Sequence, residues 1–181
     1  MNWLIGNKVE LRPVEPSDLD TLLLWENERT NWEMSGTIVP FSRDLMERYI
    51  QNSNLSIYQT GQLRLIIQAR ASGEAVGTLD LFDFDPFHKR VGVGVLVAMP
   101  EHRRSGLAGE SLELLKSYCF EHLDINQLYC NILTDNKASL KLFEKVGFQL
   151  AGCKKQWVRR GKQFLDEYLL QLIRSDAEGN D

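Results

Sequence analysis

The sequence has few of the residues that build disulfide frameworks or metal sites. Its three cysteines, Cys119, Cys130 and Cys153, are odd in number and form no C-x-x-C pair. This pattern argues against a disulfide framework and against a thiolate zinc site. The three histidines stand apart from one another, with none in H-E-x-x-H spacing, so the sequence predicts no metal site.

Long apolar runs are missing as well. The longest, residues 91–100, is far too short to span a bilayer. Residues 1–6 contain no basic region that leads into an apolar stretch, so no signal peptide is predicted. The formal net charge of −4 disfavours binding to a phosphate backbone, which attracts basic surfaces. These absences predict a cytoplasmic protein without a membrane or nucleic-acid partner.

What is present is an ordinary globular composition, 181 residues with 43% apolar and 25% charged side chains. A chain of this length buries a core without disulfides or metals. No internal repeat, low-complexity block or linker-like stretch divides it. We therefore expect a single domain over residues 1–175, followed by a polar, disordered tail at residues 176–181.

Hydrophobic periodicity orders the elements as strand, two helices, three strands, helix, strand, helix and two strands. Strands are predicted at residues 9–11, 63–70, 75–82, 90–97, 129–133, 148–159 and 162–173. Helices are predicted at residues 17–27, from residue 42 onward, at 106–121 and at 137–146, with Ser17 and Ser42 as N-caps. Residues 31–41 and 83–88 are expected to be loops. This order indicates an α/β fold with a mixed sheet.

The most informative segment joins the valine-rich strand at residues 90–97 to the helix that follows. It reads Arg103, Arg104, Ser105, Gly106, Leu107, Ala108 and Gly109. Small residues let a backbone approach an anion closely, a helix start offers unpaired N–H groups, and arginines pair with phosphate oxygens. The segment therefore predicts a pyrophosphate-binding loop. It is neither a G-K-[ST] nucleotide loop nor a G-x-G-x-x-G fingerprint, and a plain strand-to-helix turn with surface arginines is the alternative.

Two blocks of the chain resemble the GNAT N-acetyltransferase superfamily. The segment Arg103-x-x-Gly106-x-Ala108 is similar to that family's acetyl-CoA pyrophosphate motif, and residues 136–148 are similar to its N-x-x-(A/S)-x-x-(L/I)-(Y/F)-x-K-x-G-F block. Other segments resemble one branch of the family, which contains ribosomal-protein N-terminal acetyltransferases and spermidine acetyltransferases. These segments are Leu11-Arg12-Pro13, Asp18, Trp25-Glu26-Asn27, Pro40-Phe41-Ser42, Gly161 and Phe164-Leu165-Asp166. The resemblance covers nearly the whole chain in the right order.

The resemblance implies a mixed, mostly antiparallel sheet of about seven strands flanked by about four helices. In that fold the strand before the phosphate loop carries a bulge and splays from its neighbour, here the strand at residues 129–133. The gap admits the pantetheine arm of acetyl-CoA. Gly92 and Gly94 agree with this, because glycines inside a strand suggest a bulge or a close approach. The implied cofactor contacts are the phosphate loop together with Val95, Leu96, Val97, Asn136, Ser139 and Phe143. For Asn136, a plain helix cap is the alternative.

The resemblance also implies direct attack of a neutral primary amine on acetyl-CoA in a ternary complex, without a covalent enzyme intermediate. The amide of Val97 would polarise the thioester carbonyl, as an oxyanion donor does. Phe143 stands where many relatives carry a tyrosine that serves the departing thiolate. Ser139, one turn earlier on the same helix face, is the candidate to replace it. The alternative for Ser139 is a small residue packed against the cofactor.

A group that takes the proton of the amine is harder to assign. Gly92 stands where spermidine-type relatives often carry a glutamate. Asp80, on the preceding strand, is the candidate for a water-mediated proton path, because a strand holds a residue more rigidly than a loop does.

The expected substrate-binding residues are Trp32, Glu33 and Asp83. An acidic, aromatic-walled cleft suits a cationic amine, although a charged helix face and a solvated turn at residues 83–86 explain the same side chains. The acceptor is a protein N-terminus, a polyamine or another small amine. A non-catalytic acyl-CoA binding or sensing module is the alternative from another class, favoured by Gly92 and Phe143. A homodimer is expected from the resemblance alone.

Overall fold

The architecture comes from a computed structural model, which describes residues 3–35, 37–53 and 55–175. The predicted tail at residues 176–181 lies outside the described residues, as do the side chains of residues 33–35 and 100. The strands are β1 (Val9–Pro13), β2 (Leu63–Ala69), β3 (Ala75–Asp85), β4 (Arg90–Val97), β5 (Gln127–Leu133), β6 (Gln149–Arg160) and β7 (Gln163–Ile173). The helices are α1 (Leu19–Asn27), α2 (Arg29–Ser35), α3 (Arg43–Asn52), α4 (Ile57–Thr60), α5 (Leu107–Ser117) and α6 (Lys137–Val146).

The seven strands form one sheet in the order β1-β2-β3-β4-β5-β7-β6, which confirms the predicted mixed, mostly antiparallel sheet. Every neighbouring pair is antiparallel except β4 and β5. These two parallel strands pair only from Arg90 opposite Gln127 to Gly92 opposite Tyr129. Beyond Gly92 they diverge, which confirms the predicted splay and opens a gap in the middle of the sheet.

Helices cover both faces of the sheet. On one face, α5 and α6 pack through side chains such as Leu115 and Phe143. On the other face, α1 and α3 pack through a second cluster that includes Leu22, Met46 and Ile66. Burial of these apolar side chains stabilises the layers and fixes helices on both sides of the gap. None of the helices in the described ranges combines the length and the hydropathy needed to cross a bilayer.

Local sequence signals set the ends of two helices that matter for the site. Asn136 caps α6 by accepting a hydrogen bond from the amide of Ser139 at 3.1 Å. Gly147 ends the same helix in the left-handed conformation, with a φ of 108°. Ser42 caps α3 as predicted, accepting from the amide of Leu45 at 3.1 Å. Each cap pairs a backbone group that the helix leaves unbonded.

The described part of the chain contains six α-helices, where about four were predicted. The predicted loop at residues 31–41 begins inside α2, where the side-chain amide of Asn31 donates to the carbonyl of Trp25 at 3.1 Å. Ser17 is not the N-cap of α1. It lies in a 3-10 turn, in which the carboxylate of Asp18 accepts from the amide of Glu15 at 2.8 Å. Hydrophobic periodicity does not show these side-chain hydrogen bonds, which is why the prediction missed both.

The bulge lies in β3 and not in β4. The β3–β4 register shifts between Phe82 and Asp85, and Asp83 takes a φ of 49°. An extra residue bends β3 there. The strand continues to Asp85, although a loop was predicted from residue 83. Gly92 marks a close approach instead, because a Cβ at that position would lie 2.2 Å from the Phe82 ring. At Gly94 a Cβ would meet nothing closer than 3.9 Å.

Candidate active site

The gap between β4 and β5 forms a cavity of about 510 Å³. The lining side chains that bear on function are Glu26, Tyr49, Arg64, Asp80, Val95, Leu96, Asn131, Asn136, Ser139, Phe143 and Glu167. They come from the face that α6 covers and from the face that α1 and α3 cover. The cavity therefore connects the two faces of the sheet through the gap.

The edge of β4 that faces the gap is a row of backbone groups. The amide of Ala98 donates to the carbonyl of Val76 on β3 at 3.1 Å. The backbone N–H and C=O groups of successive residues point to opposite sides of a strand. Those of Leu96 therefore face β3, as at Ala98, and those of Val95 and Val97 face the gap. The carbonyl of Val97 accepts from the Nε of Arg103 at 3.2 Å, which agrees with this orientation.

The predicted phosphate loop meets α5 at Gly106, whose φ of 86° places it in the left-handed region. No side chain caps this helix, so the first-turn amides of Leu107, Ala108 and Gly109 are available to a ligand. The Nζ of Lys8 donates to the carbonyl of Ser105 at 3.1 Å. The loop thus presents the small residues and helix start that the sequence predicts.

The two arginines of the loop behave differently. Arg104 is exposed and takes a φ of 62°. Arg103 folds back on the end of β4, and its Nη2 lies 3.5 Å from the Oδ1 of Asn31 in α2. Arg103 therefore links the predicted phosphate loop to α2.

Three predicted cofactor residues lie on one side of α6, because positions three and four apart share a helix face. Asn136, Ser139 and Phe143 all line the cavity. The Oδ1 of Asn136 is engaged as the helix cap, which leaves its side-chain N–H₂ group as a donor. Phe143 is 3% exposed and packs edge-on against Phe148, with ring centroids 5.0 Å apart.

A charged network lies where β2 and β3 face α1. The guanidinium of Arg64 donates to Asp80 Oδ1 at 2.5 Å, to Asp80 Oδ2 at 3.3 Å and to Glu26 Oε1 at 2.5 Å. The ring of Tyr49 lies 5.3 Å from the guanidinium carbon. Burial alone would lower the pKa of Arg64, but the charges of Asp80 and Glu26 raise it above its ordinary value.

The network leaves the cleft with negative charge. Glu26 and Asp80 contribute two carboxylates against the single cation of Arg64, so the three side chains carry a net charge of about −1. Burial raises the pKa of Tyr49, and the nearby carboxylates act in the same direction, so its hydroxyl is neutral. Such a surface attracts a cationic ligand.

Trp32 and Asp83, the two predicted substrate residues whose side chains the structure describes, do not line the cavity. Trp32 donates from its indole nitrogen to the carbonyl of Glu26 at 2.7 Å, and it is not among the described residues that line the cavity. The side chain of Glu33 lies outside the described residues. Asp83 lies in the β3 bulge, where it accepts a hydrogen bond from the hydroxyl of Tyr129 at 3.2 Å.

The sequence does not predict Tyr49 and Arg64, which line the cavity, or Lys8, which bonds to the predicted phosphate loop. One signal for Arg64 was present, since it is a charged residue inside the largely apolar strand β2. A buried charge needs a partner, but nothing in the sequence names Asp80 and Glu26 as the partners. The others come to the site through contacts between elements far apart in the chain.

The family model of the acetyltransferase (GNAT) domain matches residues 8–149. The chain belongs to this family. It is therefore an acetyl-CoA-dependent N-acetyltransferase that moves an acetyl group to an amine, as the sequence predicts. Membership also favours the enzyme over the non-catalytic acyl-CoA binding module.

Relatives agree with this family assignment. The chain is similar to the uncharacterized N-acetyltransferase YoaA of Bacillus subtilis, with 26% identity over 172 residues that cover 87% of this chain and 96% of the relative. The structure of spermidine N-acetyltransferase from Vibrio cholerae in complex with CoA and spermine superposes with a TM-score of 0.84 at 19% identity, covering 93% of this chain and 96% of that one.

A second solved structure has the same fold. The ribosomal L7/L12 alpha-N-protein acetyltransferase RimL, in complex with coenzyme A, gives a TM-score of 0.80 at 21% identity, covering 93% of this chain and 96% of that one. At such identities the likeness supports the fold rather than a particular acceptor.

Proposed function

We propose that acetyl-CoA lies in the gap between β4 and β5, with its pantetheine arm along β4 and its pyrophosphate at the start of α5. The observation that carries this proposal is the end of β4–β5 pairing at Gly92. Past that point no strand pairs with the gap-facing N–H and C=O groups of Val95 and Val97. An extended pantetheine arm can form hydrogen bonds with such groups, as an added strand does at a sheet edge. The first-turn amides of α5, with Arg103 and Arg104 beside them, suit a diphosphate.

The remaining cofactor contacts come from α6. The side-chain N–H₂ of Asn136 binds the arm, and Phe143 gives an apolar wall. We assign Ser139 to the sulfur, where its hydroxyl donates a hydrogen bond to the departing thiolate. A gap-facing backbone amide of β4 near Val97 stabilises the negative charge that develops on the thioester oxygen.

The acetyl group passes directly to the amine in a ternary complex. Cys130 also lines the cleft, but burial raises its pKa to about 12. It is therefore a neutral thiol and a poor nucleophile, which supports a reaction without a covalent enzyme intermediate.

Asp80 takes the proton of the amine through a water molecule. It lies opposite Gly94 in the β3–β4 register, on the part of β4 between the end of β4–β5 pairing at Gly92 and Val97. Arg64 bonds to both of its carboxylate oxygens, which holds the group in one orientation. A fixed group transfers a proton more effectively than a mobile one.

The acceptor is a primary amine, either a protein N-terminus or a small amine. The net negative charge of Glu26, Arg64 and Asp80 supports a cationic acceptor. The absence of a carboxylate at Gly92 favours a protein N-terminus over a polyamine. The cytoplasmic location and the homodimer stay predictions.

Release of free CoA, followed with a thiol reagent, tests this function. Acetyl-CoA is supplied with a panel of small amines, polyamines and peptides that have free N-termini. We expect release above the no-acceptor background, together with an acetylated product in the mass spectrum. Tight acetyl-CoA binding with no acceptor in the panel would instead support the binding module.

A further inference from the structure

Tyr129 and Asp83 meet at the closed end of the gap. Tyr129 lies opposite Gly92, the last pair before β4 and β5 diverge. Its hydroxyl donates to Asp83 Oδ2 at 3.2 Å, between residues 46 positions apart in the sequence. In the proposed pose, a cofactor arm that enters from the phosphate loop runs towards this end. The pair lies at the margin of the cleft, next to Phe82, which lines the cleft and contacts Tyr129.

The backbone at Asp83 is held in an unusual conformation. Its φ of 49° is in the left-handed region, which non-glycine residues adopt rarely and usually for a reason. The register shift of the β3 bulge surrounds it. Bulges re-aim side chains beside functional sites, and here the bulge brings the Asp83 carboxylate to the Tyr129 hydroxyl.

Phe82 keeps Tyr129 in place. Its ring fills the space above Gly92, where a Cβ would lie 2.2 Å from the ring. The rings of Phe82 and Tyr129 meet edge to face, with centroids 5.9 Å apart and planes at 85°. Because Gly92 has no side chain, the Phe82 ring can occupy this space and pack against Tyr129.

A second cavity, of about 660 Å³, adjoins this pair. Asp83, Asp85, Arg90 and Tyr129 are among its lining residues. Asp85 is paired with Arg90, whose Nη2 lies 3.2 Å from its Oδ2. Among the described residues, no cation forms a salt bridge with Asp83, so its second carboxylate oxygen is available to a cationic ligand.

We propose that Asp83 and Tyr129 together bind the ammonium group of the acceptor amine at the closed end of the gap. The proposal rests on the proposed function and adds a binding residue, Tyr129, to it. An alkylammonium has three N–H donors. One reaches the free oxygen of Asp83, one reaches the phenolic oxygen, and the third points to the water on Asp80.

The state of the phenol suits this role. Burial and the charge of Asp83 raise the pKa of Tyr129 to about 12. The hydroxyl therefore keeps its proton in the ordinary assay range, donates it to Asp83 and accepts from the ligand. The nearby cation of Arg90 acts weakly in the opposite direction.

Kinetics of Tyr129→Phe and Asp83→Asn test the proposal. Phenylalanine keeps the ring contact with Phe82, and asparagine tolerates the left-handed backbone. At saturating acetyl-CoA we expect the acceptor KM to rise about tenfold in each variant, since a charged hydrogen bond is lost. Calorimetry should give an unchanged acetyl-CoA affinity. The double variant should lose less than the product of the two single effects, because the residues act as a unit.

Tyr58→Phe is the matched control, because Tyr58 is 65% exposed and does not line the cleft. A purely structural tie between β3 and β5 would lower the melting temperature of Tyr129→Phe and leave the acceptor KM within twofold of wild type. That result overturns the proposal while the proposed function stands. Absence of CoA release by the wild type with every acceptor would overturn both.

Discussion

Arg64 and Asp80 lie directly opposite each other on β2 and β3, and Nε of the guanidinium donates to Oδ1 of the carboxylate at 2.5 Å. The same guanidinium reaches back to Glu26 on α1. One cation therefore fixes two carboxylates from two layers of the protein, one of them opposite Gly94 on β4. This relationship makes Asp80 a positioned group rather than a mobile surface acid.

Asp80→Asn should lower kcat about 100-fold, in the range that positioned acid–base groups contribute. The amide keeps the shape and a hydrogen bond to Arg64, but it cannot take a proton. Acetyl-CoA affinity, measured by calorimetry, should stay at the wild-type value. Asp44→Asn is the control, since Asp44 is 68% exposed on α3. A kcat within twofold of wild type would assign the proton path to another group.

Gly106→Glu should abolish acetyl-CoA binding. A side chain is strained at a φ of 86°, and the added carboxylate would repel the pyrophosphate. Like charges brought together cost several kcal/mol, so we expect the Kd from calorimetry to rise about 100-fold or more. Gly61→Glu separates the two effects. Its φ of 71° imposes similar strain with open space around it, and its acetyl-CoA affinity should be normal. Undiminished binding in the Gly106 variant would show that the pyrophosphate lies elsewhere.

Ser139→Ala should reduce kcat about tenfold, which corresponds to about 1.4 kcal/mol of transition-state stabilisation. The methyl group keeps the helix face and removes the donor to the sulfur. The cap is unaffected, because Asn136 bonds to the backbone amide of this residue. An unchanged turnover number would mean that Ser139 only packs against the cofactor, the alternative that the sequence left open.

Asp18→Asn should make the protein less stable at neutral pH. Burial alone would raise the pKa of Asp18, but hydrogen bonds from Arg12 and from the Glu15 amide lower it below its ordinary value. A depressed pKa means that the stabilising effect is present above the unfolded pKa and is lost as the pH falls through the folded one. The variant should lose about 2 kcal/mol of unfolding free energy near pH 7.

Urea unfolding at neutral pH and near pH 3 measures this difference. The gap between wild type and Asp18→Asn should shrink in acid, because the wild-type carboxyl then takes up a proton. Asp20→Asn removes a charge that is 80% exposed and should change stability by less than about 0.5 kcal/mol. A gap that stays constant with pH would show that the ionised form of Asp18 is not the stabilising species.

Much of the fold and the geometry of the loop before α5 could be predicted because their causes are local. The valines of β4, the loop that ends at Gly106 and the cap of α6 by Asn136 each depend on residues a few positions apart. The resemblance to the family rests on the same short blocks. The splay followed from that resemblance, and the end of pairing at Gly92 confirms it.

The parts that were missed depend on contacts between distant elements. Arg64 meets Glu26 across 38 positions and Tyr129 meets Asp83 across 46. The bulge in β3 depends on its register against β4, which no single strand specifies. Periodicity reports which face of an element is apolar, but it does not say which polar groups will meet.

The sequence by itself determined the strands, the four longer helices and the family, and it predicts a loop for a diphosphate, because backbone preferences and short motifs act over a few residues. Only the tertiary structure decided which side chains hold the carboxylates in place. Asp80 is held by Arg64 and Asp83 by Tyr129 because strands distant in the chain lie side by side in the sheet. Hydrogen bonds between them form only after that pairing has brought them within reach.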